Sequence, residues 1–151
     1  MRYTKVTLAL LAAATILMAA DPFLGNWKLN PAKTKYKTGT PPKEQTLAFT
    51  EEGKDLHVMV KGKSSDGKPI SAHYTLPSAG GTGKIIEGAY EGVSTRIINA
   101  KERETTYTKG GKPVYNVKSK LSDDGKTLTI NVNGMNALGQ TVEGTNVYEK
   151  Q

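Results

Sequence analysis

From Thr46 to the end of the chain, apolar and polar side chains alternate with a period of two, and turns containing Gly or Asp interrupt the pattern roughly every 8–12 residues. Leu47 and Phe49 share a face. So do Leu56, Val58 and Val60, and then Ile70, Ala72, Tyr74 and Leu76. Further on, Val93, Thr95 and Ile97 align, followed by Thr105 and Tyr107, by Tyr115, Val117 and Leu121, and by Leu128, Ile130 and Val132. The opposite faces carry Thr, Ser, Lys, His and Asn. Strands of this kind bury one side and wet the other, which is the habit of antiparallel sheets. The pattern predicts an all-β barrel or sandwich.

Turn lengths test that reading, because residues paired across a hairpin must point to the same face. A four-residue loop Glu51–Lys54 pairs Phe49 with Leu56. A three-residue loop Ser65–Gly67 pairs Val58 with Tyr74 and Val60 with Ala72. A two-residue loop Asp124–Gly125 pairs Leu121 with Leu128 and Ser119 with Ile130. All three close without conflict. About eight to ten strands joined mostly by hairpins make an up-and-down meander the simplest topology, and closing it into a single antiparallel β-barrel removes both exposed edges. Only residues 30–43, with three prolines and no alternation, resist; they read as a long loop with one helical turn from Pro31, capped by Asn30.

Residues 1–20 read as a signal peptide. Arg2 and Lys5 precede an apolar or small run from Val6 to Met18, and Ala19-Ala20 supplies small residues for cleavage. That run is shorter than the roughly 20 residues that a spanning helix needs; a retained N-terminal anchor is the competing reading. Residues 21–151 then form one domain, exported to periplasm or medium, with no transmembrane span after cleavage. The chain has no Cys, so disulfides cannot brace it. Its 21 basic and 14 acidic residues give +7, or +5 without Arg2 and Lys5. Outside the first twenty residues the only arginines are Arg96 and Arg103, a poor endowment for bidentate phosphate contacts, so nucleic acid is not an expected partner.

The segment Asp21-Pro22-Phe23-Leu24-Gly25-Asn26-Trp27-Lys28-Leu29-Asn30-Pro31-Ala32-Lys33, with the ending Val147-Tyr148-Glu149-Lys150-Gln151, resembles small exported bacterial proteins of lipocalin-like (calycin) type that have no established activity. The resemblance implies a barrel of the lipocalin and fatty-acid-binding kind. It also implies that the Trp of the Gly25-x-Trp27 motif closes the barrel floor, with Lys150 from the last strand over its ring. The two-helix lid of fatty-acid-binding proteins does not fit into residues 30–43.

Chemistry-bearing motifs are few. Gly80-Gly81-Thr82-Gly83-Lys84 lacks phosphate-loop spacing, since Ser78 stands at the first required Gly and Ile85 where a hydroxyl should follow the Lys; it reads as a flexible loop. His57 and His73 fall on polar faces as diagonal neighbours about 7–8 Å apart at the backbone. No Cys or inward acid completes a set of ligands, so two solvated histidines are expected rather than a metal site. No nucleophile stands beside a base, and the paired acids Glu51-Glu52 and Asp123-Asp124 lie in turns. Neither catalysis nor a cofactor is expected. Lys33, Lys35 and Lys37 form a basic loop with no acid between Asp21 and Glu44, either solvated or able to meet an anionic envelope component.

Phe49, Val58, Tyr74, Ile97, Tyr107, Tyr115 and Ile130 are expected to point inward, apolar apart from three phenolic hydroxyls. This mixture suits a pocket for a small apolar or amphipathic ligand, and equally a filled core. The residues therefore leave two functions open: an exported, non-catalytic ligand-binding barrel, or a periplasmic inhibitor of a protease or lysozyme acting through loops around a solid barrel. Mutual contact of Phe49, Tyr74, Tyr107 and Tyr115 across the lumen would favour the second.

Overall fold

The computed structural model describes residues 20–151; the expected signal-peptide helix lies outside them. Twelve strands form one antiparallel sheet: β1 Gly25–Leu29, β2 Lys35–Thr38, β3 Glu44–Glu52, β4 Asp55–Lys63, β5 Pro69–Pro77, β6 Gly81–Thr82, β7 Lys84–Glu87, β8 Gly92–Asn99, β9 Glu102–Lys109, β10 Lys112–Leu121, β11 Thr127–Met135 and β12 Thr141–Lys150. The described residues contain no α-helix. In space the order runs β6-β8-β9-β10-β11-β12-β1-β3-β4-β5-β7, with β2 added beside β12. The last strand thus returns to pair with the first, Trp27 opposite Lys150. This is the up-and-down barrel that the alternation predicts.

Two hairpins have the expected register: Val58 pairs with Tyr74 and Val60 with Ala72, and Leu121 pairs with Leu128 and Ser119 with Ile130. The first hairpin differs. Phe49 pairs with Val58 and Glu51 with Leu56, because Gly53-Lys54 turns in two residues where four were expected. A two-residue slip keeps every side chain on its face, so the core is unaffected. Residues 30–43 are also more ordered than expected. Asn30 accepts from the Ala32 N–H through Oδ1 (3.1 Å), the Pro31–Lys33 turn follows, and the chain then re-enters the sheet as β2 along Glu143–Thr145.

The glycine-rich segment 80–84 is the largest correction. It is no flexible loop but the seam of the barrel. Gly81-Thr82 pairs with Thr95 and Ser94 of β8, and from Lys84 the same chain pairs with β5. Crossing from one strand to the other presses Gly83 against β5, where a Cβ would overlap the Thr75 carbonyl oxygen and crowd Val93. Gly83→Ala is therefore expected to part the seam and cost about 1–3 kcal/mol, read as a lowered urea midpoint with selective loss of amide protection in β6 and β7. Unchanged protection there would contradict the seam assignment.

The core fills the floor end. Trp27, Leu56 and Leu128 are fully buried, with Phe23, Leu76 and Leu121 around them. Residues 21–24 fold across this end as a plug: Asp21 Oδ1 accepts from the Phe23 N–H (2.9 Å), and the Phe23 carbonyl accepts from Trp27 Nε1 (2.9 Å). Lys150 Nζ stands 5.5 Å from the Trp27 ring centre, within cation–π range. Its stem lies over Gly25, where a Cβ would sit 3.0 Å from Lys150 Cε and where φ is +127°. Gly25, Trp27 and Lys150 thus form one stacked unit.

Candidate functional site

Above the floor the barrel holds a cavity of about 160 Å³ whose lining runs out to Thr40, Pro41 and Leu138 at the mouth. Phe49 and Val58 on β3 and β4, Tyr74 on β5, Tyr107 and Tyr115 on β9 and β10, and Ile130 on β11 all line it. Ile97 does not. It lies at the seam instead, where a Cβ on Gly80 would come within 3.5 Å of its Cγ1. Ala72, Ile85, Val117 and Val132 complete much of the apolar wall.

The lumen is neither solid nor wide. Tyr74 and Tyr107 meet edge to face with ring centres 5.5 Å apart, and Tyr107 and Tyr115 at 5.6 Å. Phe49 stands away from this group, against Phe23 of the plug at 6.2 Å. Tyr90, from the turn after β7, stacks on Tyr115 at 5.9 Å and donates its hydroxyl to the Met135 carbonyl oxygen (2.9 Å). It thereby straps the β7–β8 turn to the end of β11 across the mouth. Beside the strap, Leu138 and Met135 are exposed. Burial pushes the Tyr74 phenol up to about 12 and raises Tyr107 and Tyr115 as well. The phenols therefore stay protonated at neutral pH and act as hydrogen-bonding groups.

The residue that sequence reasoning missed is Arg103. It lines the cavity at the floor end of β9 and is only 5% exposed. Its Nη2 donates to Asp21 Oδ2 (3.1 Å), and its Cζ lies 4.5 Å above the centre of the Phe23 ring. Nε and Nη1 have no partner among the described residues. Burial lowers its pKa, opposed by the adjacent Asp21 carboxylate. A signal was available, since Arg103 falls on the same inward phase as Thr105 and Tyr107. Around it are Ser119, its partner on β10, and the hydroxyl pair of Thr95 and Thr105 at 3.1 Å. Asn146 Oδ1, also on the lining, is a buried acceptor with no donor among the described residues.

Outside the barrel, His57 and His73 lie closer than solvated neighbours would. His57 Nδ1 is 3.2 Å from His73 Nε2, and His57 Nε2 is 3.2 Å from Glu52 Oε2. Among the described residues no three His, Cys, Asp or Glu converge as a metal site. The basic loop is largely neutralised by β12: Lys33 pairs with Glu149 (3.1 Å) and Lys37 with Glu143 (3.4 Å), leaving Lys35 exposed on β2 without an acidic partner within 4.0 Å among the described residues. The sequence showed no acid near these lysines; the sheet supplies two from more than a hundred residues away.

No family model matches the sequence, and no curated protein does. The fold is similar to three solved barrels. A redesigned β-barrel, mFAP1, bound to DFHBI has TM-score 0.45 and 14% identity, covering 85% of this chain and 95% of its own. A fluorescence-activating β-barrel designed de novo has TM-score 0.47 and 12% identity, covering 88% and 100%. Zebrafish ileal bile acid-binding protein complexed with cholic acid has TM-score 0.43 and 12% identity, covering 86% and 99%.

Proposed function

We propose that the chain is an exported, non-catalytic barrel that binds one small apolar or amphipathic molecule in its lumen. The supporting observation is the cavity: about 160 Å³ of lumen left open above the floor plug. An apolar cavity of about 150 Å³ accommodates benzene, so the part of the occupant held in the lumen is of single-ring bulk. Apolar walls supply the burial energy, and a few hydroxyls with Arg103 orient the molecule. Export rests on the basic, apolar and small-residue order of residues 1–20.

Native mass spectrometry of protein purified from its own host tests both halves. The expected spectrum shows a chain beginning at Asp21 carrying one small molecule that is lost on denaturation. A bare chain would count against the binding reading, and an intact Met1 in the envelope fraction against cleavage.

A further inference from the structure

We infer that the buried end of the occupant is an uncharged hydrogen-bond acceptor, a carbonyl received by Arg103 at the floor of the cavity. This inference rests on the ligand-binding reading above and adds the chemical class of the ligand. Three observations carry it.

The first is an imbalance of hydrogen-bonding groups. Arg103 is 95% buried, since 5% is exposed, and its Nε and Nη1 carry N–H groups with no acceptor among the described residues. Tyr74 and Tyr107 place their hydroxyls 2.6 Å apart, so one proton serves the pair and the other is free to donate. Against these donors the cavity lining offers one unpaired buried acceptor among the described residues, Asn146 Oδ1. Buried polar groups are normally paired, and at Arg103 two donors stand without acceptors.

The second is charge. Asp21, 3.1 Å from Nη2, already neutralises Arg103. A carboxylate arriving at Nε or Nη1 would be drawn by the guanidinium and repelled by Asp21 across it, while its own loss of hydration would remain in full. A carbonyl meets the same donors in charge-assisted hydrogen bonds and brings no charge to desolvate. The third is size: about 160 Å³ of lumen takes a ring bearing a short polar group.

The test is an NMR titration of the purified protein at neutral pH with three probes of matched bulk: acetophenone, isopropylbenzene and benzoate. Acetophenone is expected to bind roughly ten- to a hundredfold tighter than either of the others, the worth of a charge-assisted hydrogen bond. It should also shift the Arg103 Nε–H resonance on saturation. Equal affinity for isopropylbenzene would overturn the carbonyl assignment and leave the binding barrel standing. Tightest binding of benzoate would overturn it in favour of an anion. If none of the three perturbs the lumen, the assignment falls together with the ligand-binding reading.

Discussion

Replacing Trp27 with alanine lowers the stability of the barrel by about 3–5 kcal/mol. The ring is fully buried. It fills the space among Phe23, Leu56 and Leu128, and its Nε1–H holds the plug through the Phe23 carbonyl oxygen. Alanine removes that volume, leaves the carbonyl without its donor and strands the Lys150 stem above an empty floor. For a domain of this size the loss corresponds to a fall in Tm of roughly 10–20 °C, measured by thermal unfolding followed by circular dichroism. A midpoint within a degree or two of the parent would contradict the assignment of Trp27 to the floor.

Asp21→Asn is expected to cost a comparable amount for a different reason. Asparagine keeps the shape and the acceptor for the Phe23 N–H while removing the carboxylate paired with Arg103. The guanidinium is then a buried charge without that counterion, and breaking such a pair costs about 3–5 kcal/mol. Removing both charges together, as Asp21→Asn with Arg103→Met, should restore most of the loss, because an apolar side chain of similar length needs no counterion. Urea unfolding of the two single variants and the double variant gives the coupling directly. Additive losses would show that Asp21 and Arg103 do not act as a pair, and the plug would have to be held by packing alone.

The inward faces of the strands were legible because alternation is a property of neighbouring residues. Val58, Tyr74 and Ile130 needed no information beyond their own segments. The Glu51–Lys54 turn was misjudged for the same reason: a slip of two residues leaves the alternation unchanged, so pattern alone cannot distinguish a four-residue loop from a two-residue turn. Ile97 has the inward phase along β8, but it sits beside the Gly80 turn at the seam, which comes from another part of the chain. The seam at Gly81–Glu87 was invisible, since its hydrogen bonds go to two strands that do not pair with each other and its composition reads as a loop. Arg103 had the right phase and was passed over because a lone inward cation makes sense only with Asp21, 82 residues earlier.

The amino-acid order alone determined that this is an antiparallel β protein with an apolar inner face; that Trp27 belongs at its base was implied by the resemblance of its segment to lipocalin-like proteins. The first follows from spacing within each strand, and the second rests on the three-residue motif Gly25-x-Trp27. Tertiary structure decided that Gly83 closes the cylinder, that β12 neutralises Lys33 and Lys37, and that the lumen keeps about 160 Å³ with an under-satisfied guanidinium at its base. Each of these depends on side chains far apart in sequence meeting at one point. No window along the chain contains both partners of such a contact, or the volume left between them.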